Sequence, residues 1–336
     1  MVTNNTGTLS MEEFAEMIRA GIKDHLPDRY RDAEISFKDI RKENGIIRKG
    51  LNIHLPDDVG IPVPMIYLDE SYAEYVKGRG LVEILTDLAD TFIDHLNPPG
   101  FEIEISDISD FEKISDRILP KIVQASENQE IAKDRPSTPV ADLIAIYRIR
   151  ISDEASIPIN NQIMNGWGVT PEMLHKISIE NMRRMDPPMI KSMTEVLMES
   201  MPGGIEGIGI PLPDPSEDPM RVITTASKMF GAAALLDTEF MESIPGIDDP
   251  DTYLLPSSQH ELICVSSSDM DVQALEDMVR SVNESTVDVQ DKLADGVYRY
   301  NTATHEIERA LIVPTQTQDN TQNQVHGMEL DVSMAM

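Results

Sequence analysis

The chain has 336 residues, with 28 Lys and Arg against 59 Asp and Glu, a formal net charge of −31. That acidity argues against gripping nucleic-acid phosphates or an anionic bilayer by general electrostatics, so neither direct nucleic-acid binding nor membrane attachment is expected. A single cysteine excludes an intrachain disulfide framework and any multi-cysteine zinc site. Aromatic residues make up 5% while Met reaches 20, which predicts an aliphatic, thioether-rich core.

The first ten residues lack a basic region followed by an apolar one, so no secretory signal is read there, and a cytoplasmic location is expected. Helix signals begin at Ser10, which pairs with Glu13 as a capping box ahead of an apolar face of Phe14, Met17, Ile18 and Ile22. Three strands are predicted next, at 33–40, 46–55 and 63–68, the first two joined by the hairpin signal Asn44-Gly45. Helices follow over 69–77 and up to Leu96, closed by Asn97-Pro-Pro-Gly100. Residues 10–97 therefore read as one N-terminal unit.

A middle segment, 101–205, is predicted to open with a strand at 101–105 and to be helical over 111–134. Its best strand is 140–151, apolar on both faces and hence central, from which Arg148 and Arg150 emerge toward solvent or an acidic partner. Thr170-Pro171-Glu172 starts a helix with Leu174, Ile177, Asn181 and Met182 inward, and Trp167 just before it is expected to plug the core. A second helix is predicted after Pro188, with Met189, Met193, Val196 and Leu197 on its buried stripe. The Pro- and Gly-rich stretch 201–219 marks a domain boundary or a long surface loop. Beyond it, a C-terminal unit over 220–313 should hold a hairpin of 221–225 with 230–236 and a short helix to Ser243. Strands at 253–255 and 262–265, a helix from Asp271 and a final hairpin of 297–300 with 307–311 complete it. Residues 1–9 and 315–336 read as disordered termini. The whole predicts an α+β fold of mixed, mainly antiparallel sheets with packed helices, in two packed subdomains.

Chemistry is sparsely signalled. Ser258 and His260, two apart in Pro256-Ser-Ser-Gln-His-Glu261, are the weak candidates for a nucleophile and its base, with Glu261 as an orienting carboxylate. No G-x-S-x-G elbow accompanies them, and turn-forming serines before a strand explain the same residues. Glycines 203, 204, 207 and 209 do not match a phosphate loop, and the seven histidines lack metal-ligand spacing, so no cofactor and no metal are expected. A cationic stretch is the other feature: Arg29, Arg31, Lys38, Arg41, Lys42, Arg48 and Lys49 give residues 29–49 a net +3 and form a candidate interaction surface. By contrast, residues 201–336 carry 6 basic and 24 acidic side chains. That acidic half is expected to face a basic protein partner or to dock on the chain's own N-terminal hairpin.

Several blocks in fixed order resemble an uncharacterised bacterial domain-of-unknown-function family, number 5688, common in anaerobic gut bacteria. They include the 14–26 helix with Tyr30-Arg-Asp-Ala-Glu34, Ile66-Tyr-Leu-Asp69, Asp142-Leu-Ile-Ala-Ile-Tyr147, Trp167-Gly-Val-Thr170, Gly231-Ala-Ala-Ala-Leu235, Leu255-Pro-Ser-Ser-Gln-His-Glu261 and Met278-Val-Arg-Ser-Val-Asn283. The stretch 167–181 is also similar to a second uncharacterised family, typical of bacilli. Neither resemblance implies an activity or a cofactor. The leading expectation is a protein-interaction or regulatory module, with a Ser258–His260 hydrolase and an acidic nucleic-acid mimic as alternatives.

Overall fold

A computed structural model describes residues 9–56, 65–96, 105–152, 155–201, 218–256, 258–266 and 271–310. The predicted strand at 101–105 apart from Ile105, residues 202–217 of the Pro- and Gly-rich stretch, Ser257 and the two expected disordered termini apart from Leu9 lie outside them. The fold is α+β, built from three mainly antiparallel sheets with packed helices.

In the N-terminal unit, α1 (Met11–Gly21) starts on the predicted capping box: Ser10 Oγ accepts from the Glu13 backbone N–H, and Glu13 accepts from Ser10. Strands β1 (Glu34–Arg41), β2 (Ile47–His54) and β3 (Met65–Tyr67) form a sheet in that order. Asn44 and Gly45 both take the left-handed conformation, φ 59° and 70°, which the tight connection between right-twisted strands requires. Helices α2 (Asp69–Val76) and α3 (Leu81–Leu96) close the unit. Phe14, Ile18 and Ile22 pack there against Leu51, Ile53, Leu85, Leu88 and Phe92 in a core of their own.

The middle segment departs from expectation. The helical segments expected over 111–134 are interrupted by a strand: a single turn of helix, α4 (Phe111–Ile114), leads into β4 (Ile118–Gln124) and then helix α5 (Gln129–Asp134). Pro120 obscures the strand, yet β4 is at the edge of its sheet, where a missing N–H costs no ladder bond. The expected 140–151 strand is divided by a turn at Ala141, φ 54°, into β5 (Ser137–Val140) and β6 (Leu143–Arg150). β6 is central, as predicted: β4 covers one edge, while β5 and then β7 (Ser156–Pro158) cover successive halves of the other. Trp167, at the end of α6 (Asn161–Trp167), is half-buried against Phe111, and its indole N–H donates to the Ile108 carbonyl. Helix α7 (Pro171–Met185) is capped by Thr170 and buries Leu174, Ser178, Asn181 and Met182.

The helix expected after Pro188 begins later. Residues 188–192 form strand β8 (Pro188–Ser192), Ser192 caps α8 (Met193–Glu199), and Leu197 is exposed rather than buried. β8 pairs with β9 (Met220–Thr225), so the two flanks of the Pro- and Gly-rich stretch are neighbours in one sheet. Residues 230–236 are not a strand: Gly231–Leu236 is a 3-10 helix, since the Gly-Ala-Ala-Ala run has none of the β-branched bulk that fills a pleated surface. After α9 (Thr238–Ser243) come β10 (Thr252–Leu255), β11 (Leu262–Ser266), α10 (Val272–Ser285), β12 (Tyr298–Asn301) and β13 (Glu306–Arg309). The sheet order is β13-β12-β10-β11-β9-β8. Leu119, Ile122, Leu143 and Met182 share a core with Ile223, Leu254, Leu262 and Tyr298, so the middle and C-terminal sheets are fused while the N-terminal unit docks on them.

Candidate functional site

The docking point is the β1–β2 hairpin tip. Its left-handed Asn44 turns its backbone N–H toward Asn128 Oδ1 at 2.9 Å, and Asn128 Nδ2 donates back to Asn44 Oδ1 at 3.1 Å. Asn44 Nδ2 donates in turn to the carbonyls of Lys292 at 2.7 Å and Val289 at 2.9 Å. One asparagine therefore ties the N-terminal unit to both other sheets. Asn128 is 1% exposed. Asn128→Ala is expected to cost about 2 kcal/mol, the penalty for stranding buried donors, measured as a lowered denaturant midpoint.

Beside it, Glu43 pairs with Arg135 and lies 3.8 Å from Lys121. Burial pushes the Glu43 carboxyl upward, but Lys121 and Arg135 prevail and hold it down at about 2. Lys121 itself is pulled below the usual lysine range by burial, only partly offset by Glu43. The docking is thus amide-to-carbonyl and ion-paired on the middle sheet, and it brings the cationic hairpin against the acidic half without carboxylate contacts from 289–292.

Docking leaves a cleft of about 730 Å³ between the hairpin unit and the fused body. Lys42, Arg48, Tyr67 and Thr91 line one wall, and His260 and Gln290 stand on the other. Phe230 forms the floor. It adopts a left-handed backbone, φ 54°, a conformation that a bulky residue takes only when its surroundings hold it there. Three side chains do so. His260 stacks on the ring at 5.4 Å with 23° between planes, Lys121 Nζ lies 4.6 Å from the ring centroid and Arg148 Cζ lies 4.3 Å from it. The register pairs Lys121 with Ile146 and Leu119 with Arg148, so the two cations leave the sheet on the same side. Burial pulls Arg148 down to about 10.

Of the weak catalytic candidates His260 lines this cleft, and it and Ser258 are arranged differently from a nucleophile and its base. Ser258 Oγ accepts from the His260 backbone N–H at 3.0 Å, the turn role of a serine. The His260 ring uses Nδ1 to accept from the Phe230 N–H at 3.2 Å and Nε2 to donate to Asp291 Oδ1 at 3.1 Å. Gln259 Nε2 also donates to Asp291, at 2.6 Å, and Glu261 is exposed before β11. The ring thus anchors Phe230 and is oriented by Asp291.

Of the hairpin cations, Arg29, Arg31, Lys38 and Arg41 are exposed, and Lys49 pairs with Asp39 at 2.7 Å. Lys42 lies 4.5 Å over the Tyr67 ring at the cleft wall, and Arg48 reaches Gln290 across it at 3.3 Å. Asn44, Lys121, Asn128, Arg148, Phe230 and Asp291 were not singled out as a group by sequence. A lysine and an arginine inside the apolar runs Ile118-Leu-Pro-Lys-Ile-Val123 and Ile144-Ala-Ile-Tyr-Arg-Ile149 were the available signal. Cys264 is buried, where Arg221 Nη2 donates to its sulfur at 3.3 Å, and burial pushes its thiol up. Among the described residues, no group of three or more His, Cys, Asp or Glu is placed to hold a metal ion, and no helix is long and apolar enough to cross a membrane.

Fold and cleft together define a three-sheet α+β protein with a Phe230-floored cleft under a docked hairpin, lined by Lys42, Arg48 and Lys121 and by Glu43, Glu70 and Asp291. The chain belongs to the DUF5688 family of unknown function, whose model matches residues 11–302. No curated protein and no solved structure matches it.

Proposed function

We propose that this protein is a binding module of the interaction or regulatory kind, which takes an anionic ligand in the cleft between the hairpin unit and the fused body. The observation that carries the reading is the floor. Lys121, which lines the cleft, and Arg148, which lines the smaller chamber beside it, both meet the Phe230 ring in a chain whose net charge is −31. The cleft balances Lys42, Arg48 and Lys121 against Glu43, Glu70 and Asp291 among the described residues, and the positive excess that focuses a local field lies in the adjoining chamber, where Lys121, Arg135 and Arg148 gather. The exposed cations Arg29, Arg31, Lys38 and Arg41 are a second candidate interaction surface, and Asp248, Asp249, Asp251 and Glu284 are the exposed acids proposed for a basic protein partner. A cytoplasmic location belongs to the same proposal, supported by the unpaired Cys264 thiol.

The hydrolase alternative requires the His260 ring to release Phe230 or Asp291 and swing toward Ser258, breaking the bonds that hold the floor. The nucleic-acid-mimic alternative requires outward carboxylates in an array, whereas Asp291, Asp295, Glu276 and Asp142 are engaged by His260, Lys292 and Arg309.

Thr91 on α3 lines the cleft wall, away from the Phe230 floor. Small molecules retained by the protein from a cell extract, separated by ultrafiltration and identified by mass spectrometry, test the reading. Retention by the wild type that Thr91→Trp reduces at least tenfold, at unchanged melting temperature, is the expected result. Equal retention by both proteins, or none by the wild type, overturns it.

A further inference from the structure

A strand that turns a cation into the protein must find it a counter-charge, because an uncompensated buried charge is costly. Lys121 has Glu43 at 3.8 Å, but that carboxylate is shared with Arg135. Arg148 has less. Its side chain makes no hydrogen bond or ion pair among the described residues, and its Nε is buried without a partner. Asp186 acts on it through space without an ion pair, and that carboxylate instead accepts from Ser227, at 2.7 Å from the backbone N–H and 2.8 Å from the hydroxyl. The face of the guanidinium rests on Phe230, which leaves its N–H edge as the polar part.

Arg148 and Lys121 border a chamber of about 160 Å³ opening off the main cleft. Among the described residues its charged lining is Lys42, Lys121, Arg135 and Arg148 with Glu43, a net of +3 for those five. At about 30 Å³ per liquid water, the chamber has room for a polyatomic anion with some of its hydration. A phosphate monoester carries roughly −1.5 to −2 charge at neutral pH, against −1 for a carboxylate, and its oxygens match a guanidinium fork with an ammonium alongside.

We propose that this chamber is a phosphoryl subsite, in which the phosphate group of a small phosphate monoester is held by Arg148 and Lys121 while the rest of the ligand lies in the larger cleft. The assignment rests on the cleft being the ligand site and adds the chemical class of the ligand. Phe230 meets both cations and is itself stacked on His260, so the subsite is built by the same contacts that hold the left-handed turn.

Titration calorimetry on the full chain at constant ionic strength in chloride tests this, with phenyl phosphate, inorganic phosphate and benzoate as probes. Phenyl phosphate should saturate one site per chain and bind at least tenfold more tightly than benzoate. Inorganic phosphate should compete with it. Arg148→Met and Lys121→Met should each weaken phenyl phosphate at least tenfold, and Lys77→Met, an exposed cation on the end of α2, should leave it unchanged. If Arg148→Met does not fold, Arg148→Lys, which keeps the charge and loses the fork, should still weaken binding at least threefold. Unsaturable phosphate binding by the wild type, equal affinity for benzoate, or full affinity in the Arg148 variants overturns the phosphoryl assignment. Should that happen while Thr91→Trp still abolishes retention of an extract ligand, the cleft reading stands and only the phosphoryl class fails. Loss of the Thr91→Trp effect with phosphate binding intact removes the cleft reading instead.

Discussion

Gly231→Ala should destabilise the protein by about 3 kcal/mol or prevent folding, although the change adds a single methyl group. The reason is close approach. A Cβ at this position would meet the His260 carbonyl oxygen and Thr224 Oγ1 at 2.4 Å each, and Thr224 Cα at 2.7 Å. Two of these atoms are backbone, one in β9 and one in the loop that carries His260, so neither can rotate away. Relief requires moving the His260 loop, which lifts the imidazole from Phe230 and loosens the turn whose φ of 54° the stack maintains. A useful contrast is Gly246→Ala. Nothing lies within 4 Å of its Cβ, but its φ of 69° makes the substitution strained, at about 1 kcal/mol. Urea unfolding of both variants checks the ordering. A Gly231→Ala midpoint equal to that of Gly246→Ala would contradict the packing described.

The second large effect is acid sensitivity through Glu43. Its carboxyl titrates at about 2 in the folded protein, against 4.5 for the ordinary side chain, because Lys121 and Arg135 outweigh the cost of burial. A depressed folded pKa means that the unfolded chain takes up the proton first. The stabilisation is therefore complete above pH 4.5 and is lost progressively as pH falls toward 2. At 1.36 kcal/mol for each pH unit, the window corresponds to about 3 kcal/mol. The Glu43 side chain is 19% exposed, so solvent screening removes little of this. Glu43→Gln should cost a similar amount at pH 7, since Arg135 and Lys121 would remain buried facing a neutral amide. The difference in unfolding free energy between wild type and Glu43→Gln should shrink between pH 4.5 and 2 and stay flat from 5 to 7. A difference that does not vary with pH would show that the ion pairs carry no folding free energy.

Local signals read well where a single element decides them. The Ser10–Glu13 box, the Asn44-Gly45 turn, the Thr170-Pro171 start and the alternating 298–301 and 306–309 strands all follow from bonds made within a few residues. The misses share another cause. Ile118–Gln124 looks helical beside 111–117 until β6 supplies its partner, and 188–192 becomes a strand only because β9 lies next to it. The site was still less legible. Arg148 and Arg150 were marked as emerging from a central strand, but what Arg148 meets is Phe230, 82 residues on, in a turn whose conformation depends on His260. Asn44 was legible as a turn residue, not as the group that spans three sheets, because its partners lie 84 and 248 positions away. Ser258 and His260 stood out by composition, and their hydrogen bonds give them a supporting place beneath the cleft.

The most direct measurement is a crystal structure of the wild-type protein grown with phenyl phosphate at neutral pH. The account predicts the phosphoryl group in the chamber beside Phe230, its oxygens within hydrogen-bond distance of the Arg148 guanidinium and the Lys121 ammonium, and the phenyl ring in the larger cleft. An unoccupied chamber, with phenyl phosphate bound at some other surface of the same crystal, would contradict it.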